Sequence, residues 1–119
     1  KYMKWIGHTE FGPNYIPIHN QNLNFDNDLE INHWIEQWYL TYRDSFQSLK
    51  HKRNIYFISY EKLCLSKDYW FQIQKLVNLE KSYEFEFKES KKDIPLNIDA
   101  ELKEKALSLY FDLNGLNLI

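Results

Sequence analysis

The chain has few of the residues that build metal centres, crosslinks or tight phosphate loops. Cys64 is the only cysteine in 119 residues, so an internal disulfide and a thiolate metal cluster are both excluded. Placed after Leu63, it reads as a small buried hydrophobe. A reducing compartment fits, and a cytoplasmic location is expected. The four histidines, His8, His19, His33 and His51, show no metal-ligand spacing, and no metal is expected. The glycines are Gly7, Gly12 and Gly115, and none precedes a Lys-Ser/Thr or Arg-Ser pair, so no Gly-rich phosphate cradle is present. Apolar runs stop after about four residues, against roughly twenty needed to span a bilayer. No secretory signal pattern opens the chain. The formal charge is -2 with the signs interspersed, which gives no general attraction to nucleic acid. Neither a nucleic-acid partner nor a membrane partner is expected.

Aromatic residues are plentiful, at 18% of a chain that is 44% hydrophobic. Residues 1–119 suit one domain or subdomain with a core built largely of Trp, Tyr and Phe. A chain that starts at Lys1 without Met reads as the C-terminal portion of something longer.

Tyr2 to Ile6 reads as a helix end closed by Gly7. His8 to Asn24 contains Gly12, Pro13, Pro17 and several Asn and Gln residues, so it reads as a long irregular loop of the kind that is often functional. From Leu29 to Leu49, the positions Ile31, Trp34, Ile35, Trp38, Tyr42, Phe46 and Leu49 follow helical spacing, with Asp26 or Asp28 available as cap. Asn54 to Ile58 is β-branched and aromatic, and reads as a buried strand. Ser66 caps a helix from Tyr69 to Leu79, with Asp68 as an early acid. Tyr83 to Phe87 alternates aromatic and acidic residues at the period of a strand. Asp99 caps a last helix with the stripe Leu102, Ala106, Leu109, Tyr110 and Leu113, and Gly115 is placed to close it.

The order strand, Tyr60-Glu61-Lys62-Leu63, capped helix resembles the late strand-helix unit of sulfotransferases that use 3′-phosphoadenosine-5′-phosphosulfate, a branch of the P-loop α/β superfamily. In that family the segment reads Tyr-Glu-Asp-Leu and ends near Leu-Gly; here Glu61-Lys62 and Asn78-Leu79-Glu80 stand at those places. Trp5-Ile6-Gly7-His8-Thr9-Glu10-Phe11-Gly12 resembles a segment that precedes a Trp-rich helix in bacterial sulfotransferase-like proteins. Tyr83 to Ser90 resembles a later segment of the same group. The resemblance implies an α/β fold: an α-rich C-terminal part of a P-loop sulfotransferase domain, with three or four helices and one or two short strands. It implies sulfuryl transfer from 3′-phosphoadenosine-5′-phosphosulfate to a hydroxyl acceptor, a small molecule or a carbohydrate. The phosphosulfate loop and the Arg…Ser pair that grips the 3′-phosphate are missing from this chain, whose arginines are Arg43 and Arg53. The remainder of the domain would supply them, and the chain alone is expected to be inactive.

The resemblance places Tyr60 near the adenine of the cofactor, where its ring would stack on the purine; the alternative is a packed ring with a hydrogen-bonded hydroxyl. Glu61 is expected to order the turn by accepting main-chain N–H bonds rather than to act in catalysis. His8, Glu10, Phe11 and Tyr15 cluster within eight residues, pairing an apolar wall with groups able to orient a hydroxyl, and are the candidates for acceptor binding. Loop capping is the competing reading for His8 and Glu10. Trp34 and Trp38 follow the apolar stripe, which favours core packing over a sugar-stacking platform. Lys88 to Asp93 reads as a solvated surface rather than a phosphate contact. The rival to an enzyme fragment is a non-enzymatic, aromatic-rich interaction module whose Trp helix is the partner surface.

Overall fold

Helix α1 (Ile31–Leu49) begins two residues later than the expected Leu29, at the first residue of its apolar stripe, and neither candidate aspartate is its N-cap. Its N-cap is Glu30, whose side chain makes no capping bond. Asn27 organises the approach instead, accepting from the Leu29 amide and donating to Glu30. Asp28 contributes only its carbonyl, which takes the Trp34 indole N–H at 2.9 Å. The computed structural model describes residues 9–10, 12, 14–90 and 95–116. The expected helix end at Tyr2 to Ile6 and its closing Gly7 lie outside those residues, as do His8, Phe11 and Pro13.

After α1 come α2 (Tyr60–Leu65), α3 (Lys67–Leu76) and α4 (Ala100–Gly115). The expected strand at Asn54 to Ile58 is not formed as such: Phe57 alone has a bridge-type backbone contact, and the chain enters α2 directly at Tyr60. Ser59 caps α2 by accepting from the Lys62 amide. Ser66 closes α2 with its amide and caps α3 with its hydroxyl, accepting from Tyr69 N. Two helices thus turn on one serine with no intervening loop. Helix α3 stops at Leu76, short of the expected Leu79. There Asn78 takes a left-handed φ of 54°, the Asn78 amide bonds the Lys75 carbonyl, and the Leu79 amide bonds the Gln74 carbonyl. This pair of bonds is the Schellman arrangement, with Asn in the place usually held by Gly.

Tyr83 to Phe87 is extended, but no strand pairs with it among the described residues. The Gln74 side chain takes the place of a neighbouring strand. Its Oε1 accepts from Tyr83 N at 2.6 Å and its Nε2 donates to Tyr83 O at 2.9 Å. The amide group of a glutamine carries the same donor and acceptor as a peptide unit, so one side chain satisfies one extended residue. Asp99 caps α4 as expected, accepting from Leu102 N at 2.9 Å. Gly115 is the last helical residue rather than a left-handed closing residue, and α4 ends on a bond from Leu116 N to Leu113 O.

Helix α4 packs on α1, and α2 packs on α3. The buried hydrophobic residues are Leu102, Leu109 and Leu113 of α4 with Tyr69 and Ile73 of α3. Leu102, Leu109 and Leu113 lie along the expected stripe of α4, with Ala106 and Tyr110 half-buried beside them. The architecture is therefore α-rich. No helix among the described residues is long and apolar enough to cross a membrane.

Candidate functional site

The most buried residues of α1 are polar. His33, Glu36 and Gln37 stand at 1%, 4% and 7% exposure, deeper than any aromatic residue of that helix. Their i, i+3, i+4 spacing puts them on one face, and that face is covered by the Asn-rich loop. Gln37 pairs with both main-chain groups of His19, accepting from its amide at 2.9 Å and donating to its carbonyl at 2.7 Å. The Glu36 carboxylate accepts from Asn24 N and Phe25 N at 2.9 and 2.8 Å. His33 reaches Phe25 O through Nδ1 and the Tyr15 hydroxyl through Nε2, each at 2.7 Å. A carbonyl can only accept, so Nδ1 carries the hydrogen shared with Phe25 O, while Nε2 and the Tyr15 hydroxyl share the second bond. Burial, then the negative charge of Asp28, raises the Tyr15 hydroxyl above its ordinary range.

This buried polar row holds the loop against α1 and thereby builds a groove. Glu10, Tyr15, Ile16, Trp34, Trp38 and Tyr42 are among the residues lining a space of about 480 Å³. Tyr15 lies 4.9 Å from the Trp34 ring, and Trp38 lies 5.1 Å from Tyr42. Trp34 is 39% exposed and Trp38 half-buried, so the expectation that the Trp pair forms core is corrected. The deep face of α1 belongs to the polar row, which turns the tryptophans toward the groove. Of the four acceptor candidates, Glu10 and Tyr15 meet in this groove; His8 and Phe11 lie outside the described residues. Gly12 has a φ of 86° in the turn that brings Thr9 O to Ile16 N at 2.8 Å.

Tyr60 lines a second groove, of about 220 Å³, with Trp38, Tyr42, Ile58, Tyr110 and Leu113 among its neighbours. It occupies the first position of α2 rather than the end of a strand. Its hydroxyl donates to Lys88 O at 3.1 Å and its ring meets Phe87 edge-on at 6.0 Å. With 53% of the residue exposed, the ring keeps surface open to the groove. Glu61 orders the turn, as expected. Its own main-chain N–H and then Ser59 Oγ hold its carboxyl below the usual range, against the opposing effect of burial and with a lesser contribution from the Tyr110 hydroxyl.

Trp38 and Tyr42 line both grooves, so the two spaces share an aromatic wall. Among the described residues, Glu61 is the one charged side chain lining the smaller groove and Glu10 the one lining the larger. Among the described residues no cation lines either groove, and a phosphate or sulfate group needs one. No cluster of His, Cys, Asp and Glu able to hold a metal occurs among the described residues. Lys88 is exposed, and Lys91 to Asp93 lie outside the described residues. His33, Glu36, Gln37 and Gln74 escaped the sequence reading. The signal available was three polar residues on one face of α1 beside a loop rich in main-chain groups without a ladder. Comparisons with protein-family models, with curated proteins and with solved structures give no match.

Proposed function

We propose that this chain is the acceptor-side portion of a sulfotransferase-type domain. In this reading the groove of Glu10, Tyr15, Trp34, Trp38 and Tyr42 receives a hydroxylated acceptor, a small molecule or a carbohydrate. Tyr60 supplies an aromatic face for the adenine of 3′-phosphoadenosine-5′-phosphosulfate. The observation that carries the proposal is the aromatic wall common to both grooves, which would set acceptor and nucleotide on neighbouring sides of Trp38 and Tyr42. Aromatic faces suit the C–H faces of sugars and the π-faces of purines alike. Sulfuryl transfer joins the acceptor oxygen to sulfur, breaks the bond between sulfur and the phosphate oxygen, and passes the hydroxyl proton to a base. Glu10, which lines the groove, would orient that hydroxyl in this reading. The phosphates need cations that neither groove has among its described residues, so in this reading they belong to the remainder of the domain, and the chain alone is inactive.

Tryptophan fluorescence during titration tests the reading. Neutral saccharides should change the emission, and Trp34→Ala should remove most of that response. 3′-Phosphoadenosine-5′-phosphate should bind weakly or not at all. Silence toward every saccharide, or sub-micromolar nucleotide binding by this chain, would overturn the assignment.

The interaction-module reading has one observation in its favour. Ile16 and Ile18, on the loop packed over α1, are 61% and 80% exposed at the mouth of the larger groove. A protein ligand would cover them where a single sugar would not.

A further inference from the structure

The buried histidine of α1 backs one wall of the larger groove. Resting on the acceptor reading of that groove, the geometry points to a hydroxyl–imidazole pair, Tyr15 with His33, as its proton acceptor. His33 is 1% exposed and is held at both ring nitrogens, by Phe25 O and by the Tyr15 hydroxyl, each at 2.7 Å. Tyr15 is half-buried and lines the groove. Its ring meets His33 edge-on at 5.6 Å and lies 4.9 Å from Trp34. In the neutral imidazole the hydrogen sits on Nδ1 against the Phe25 carbonyl, so the lone pair of Nε2 is aimed at the hydroxyl. Fastening the loop needs only a donor and an acceptor, which the Gln37 amide supplies to His19 on the same face of α1. Where the fastened partner is a side chain of the groove, the fastener is instead a group that can take up a proton near neutral pH.

In sulfuryl transfer the acceptor hydroxyl gives its proton to the Tyr15 oxygen as the Tyr15 hydrogen passes to Nε2. The acceptor oxygen bonds to sulfur, and the bond from sulfur to the phosphate oxygen breaks, leaving its electron pair on the phosphate. The proton ends on an imidazolium that donates to Phe25 O and to Tyr15 without either partner moving. Burial opposes that charge. Three carboxylates favour it: Asp28, whose charge already acts on the Tyr15 hydroxyl, Glu36 one turn along α1, and Glu10 on the groove. Burial and Asp28 also make the phenol a poor acid by itself, so it releases its hydrogen only to a base in contact. Tyr15 is the group that touches the acceptor, and His33 acts through it.

An aryl sulfonyl fluoride tests the pair in the 119-residue chain without any cofactor. The Tyr15 oxygen bonds to sulfur, fluoride leaves, and the hydrogen goes to Nε2. Peptide mass spectrometry should find Tyr15 modified roughly tenfold or more faster than Tyr56 and Tyr83, although these are more exposed, at 42% and 55%. That ratio should rise from about pH 5 to about pH 8, as imidazole loses its proton. Carboxylates ordinarily titrate near about pH 4, below this span. His33→Gln keeps a donor for Phe25 O and an acceptor for Tyr15 but has no base. It should bring Tyr15 down to the rate of Tyr56, and it separates His33 from His19, a second imidazole on the loop. Circular dichroism checks that the variant keeps its helices; if it fails to fold, the pH course of the unaltered chain decides. Tyr15 labelled no faster than Tyr56, a ratio flat across that span, or a folded His33→Gln as reactive as the unaltered chain would each overturn the pair. Labelling as expected without any saccharide response would overturn the acceptor reading alone, and a saccharide response without labelling would overturn the pair alone.

Discussion

The Glu36 carboxylate accepts two main-chain N–H bonds while only 4% of the residue is exposed. Removing it leaves the Asn24 and Phe25 amides without their partner beside a buried face. Charge-assisted bonds and the orphaned donors together make Glu36→Ala cost about 2–4 kcal/mol in urea unfolding. Glu36→Gln should recover little, because an amide has one acceptor oxygen where the carboxylate has two. A midpoint equal to that of the unaltered chain would show that the loop is held by other contacts. Glu61 makes a different prediction. Its folded value is lowered, so its contribution to stability is fully present above the unfolded value of about 4.3. That contribution is lost as pH falls through the lower folded value. Melting followed from about pH 6 to about pH 3 should show the unaltered chain losing more stability than Glu61→Gln, and Tyr110→Phe lying between them. Parallel curves for all three would mean that the bonds to Glu61 contribute nothing. Local chemistry made its role legible, since Ser59 and Glu61 are neighbours at a turn. Glu36 was not legible, because its partners are main-chain groups more than ten residues away.

Helix starts follow the same division. Ser66 and Asp99 cap as expected because a cap needs only its own hydroxyl or carboxylate and an amide three residues ahead. Asp99→Ala should cost about 1 kcal/mol in thermal or urea unfolding, since the Leu102 amide loses its acceptor. Its main-chain N–H, which donates to the Asn32 side chain at 2.9 Å, survives the substitution and keeps α4 tied to α1. A loss far above 2 kcal/mol would show that the carboxylate does more than cap. The segments 54–58 and 83–87 have strand composition and, in the second case, strand period. A strand, however, is a relation between two segments, and among the described residues the second meets the Gln74 amide instead of a neighbouring strand. Gly115 likewise has the right place for a left-handed closing residue, but α4 has no need of it while Leu116 bonds back to Leu113.

For the whole molecule, the radius of gyration is 17.3 Å, whereas a compact domain of this length has about 13.5 Å. Side chains of both helix pairs, α1 with α4 and α2 with α3, line one groove, among them Trp38, Tyr60, Glu61 and Tyr110. Ile18, Leu29, Leu65 and Phe111 are each more than two-thirds exposed. A surface this apolar should bind the dye 1-anilinonaphthalene-8-sulfonate in the native state, with fluorescence well above that of a well-packed domain of equal length. Near-background emission without denaturant would show that these side chains are covered in solution.

The sequence by itself determined the α-rich character, the positions of α1, α3 and α4 to within a few residues, and the caps at Ser66 and Asp99. Helical period and capping depend on residues within one or two turns of each other, so they can be read from a single stretch of chain. It also kept Glu10 and Tyr15 together, because one tight turn at Gly12 joins their neighbourhood. Tertiary structure alone decided which face of α1 goes inward. The apolar stripe gives two tryptophans, yet the buried face belongs to His33, Glu36 and Gln37, because a long loop brings main-chain donors and acceptors that would otherwise be buried unpaired. Burying those groups with their partners turned Trp34 and Trp38 outward and made them the wall of a groove instead of the centre of a core.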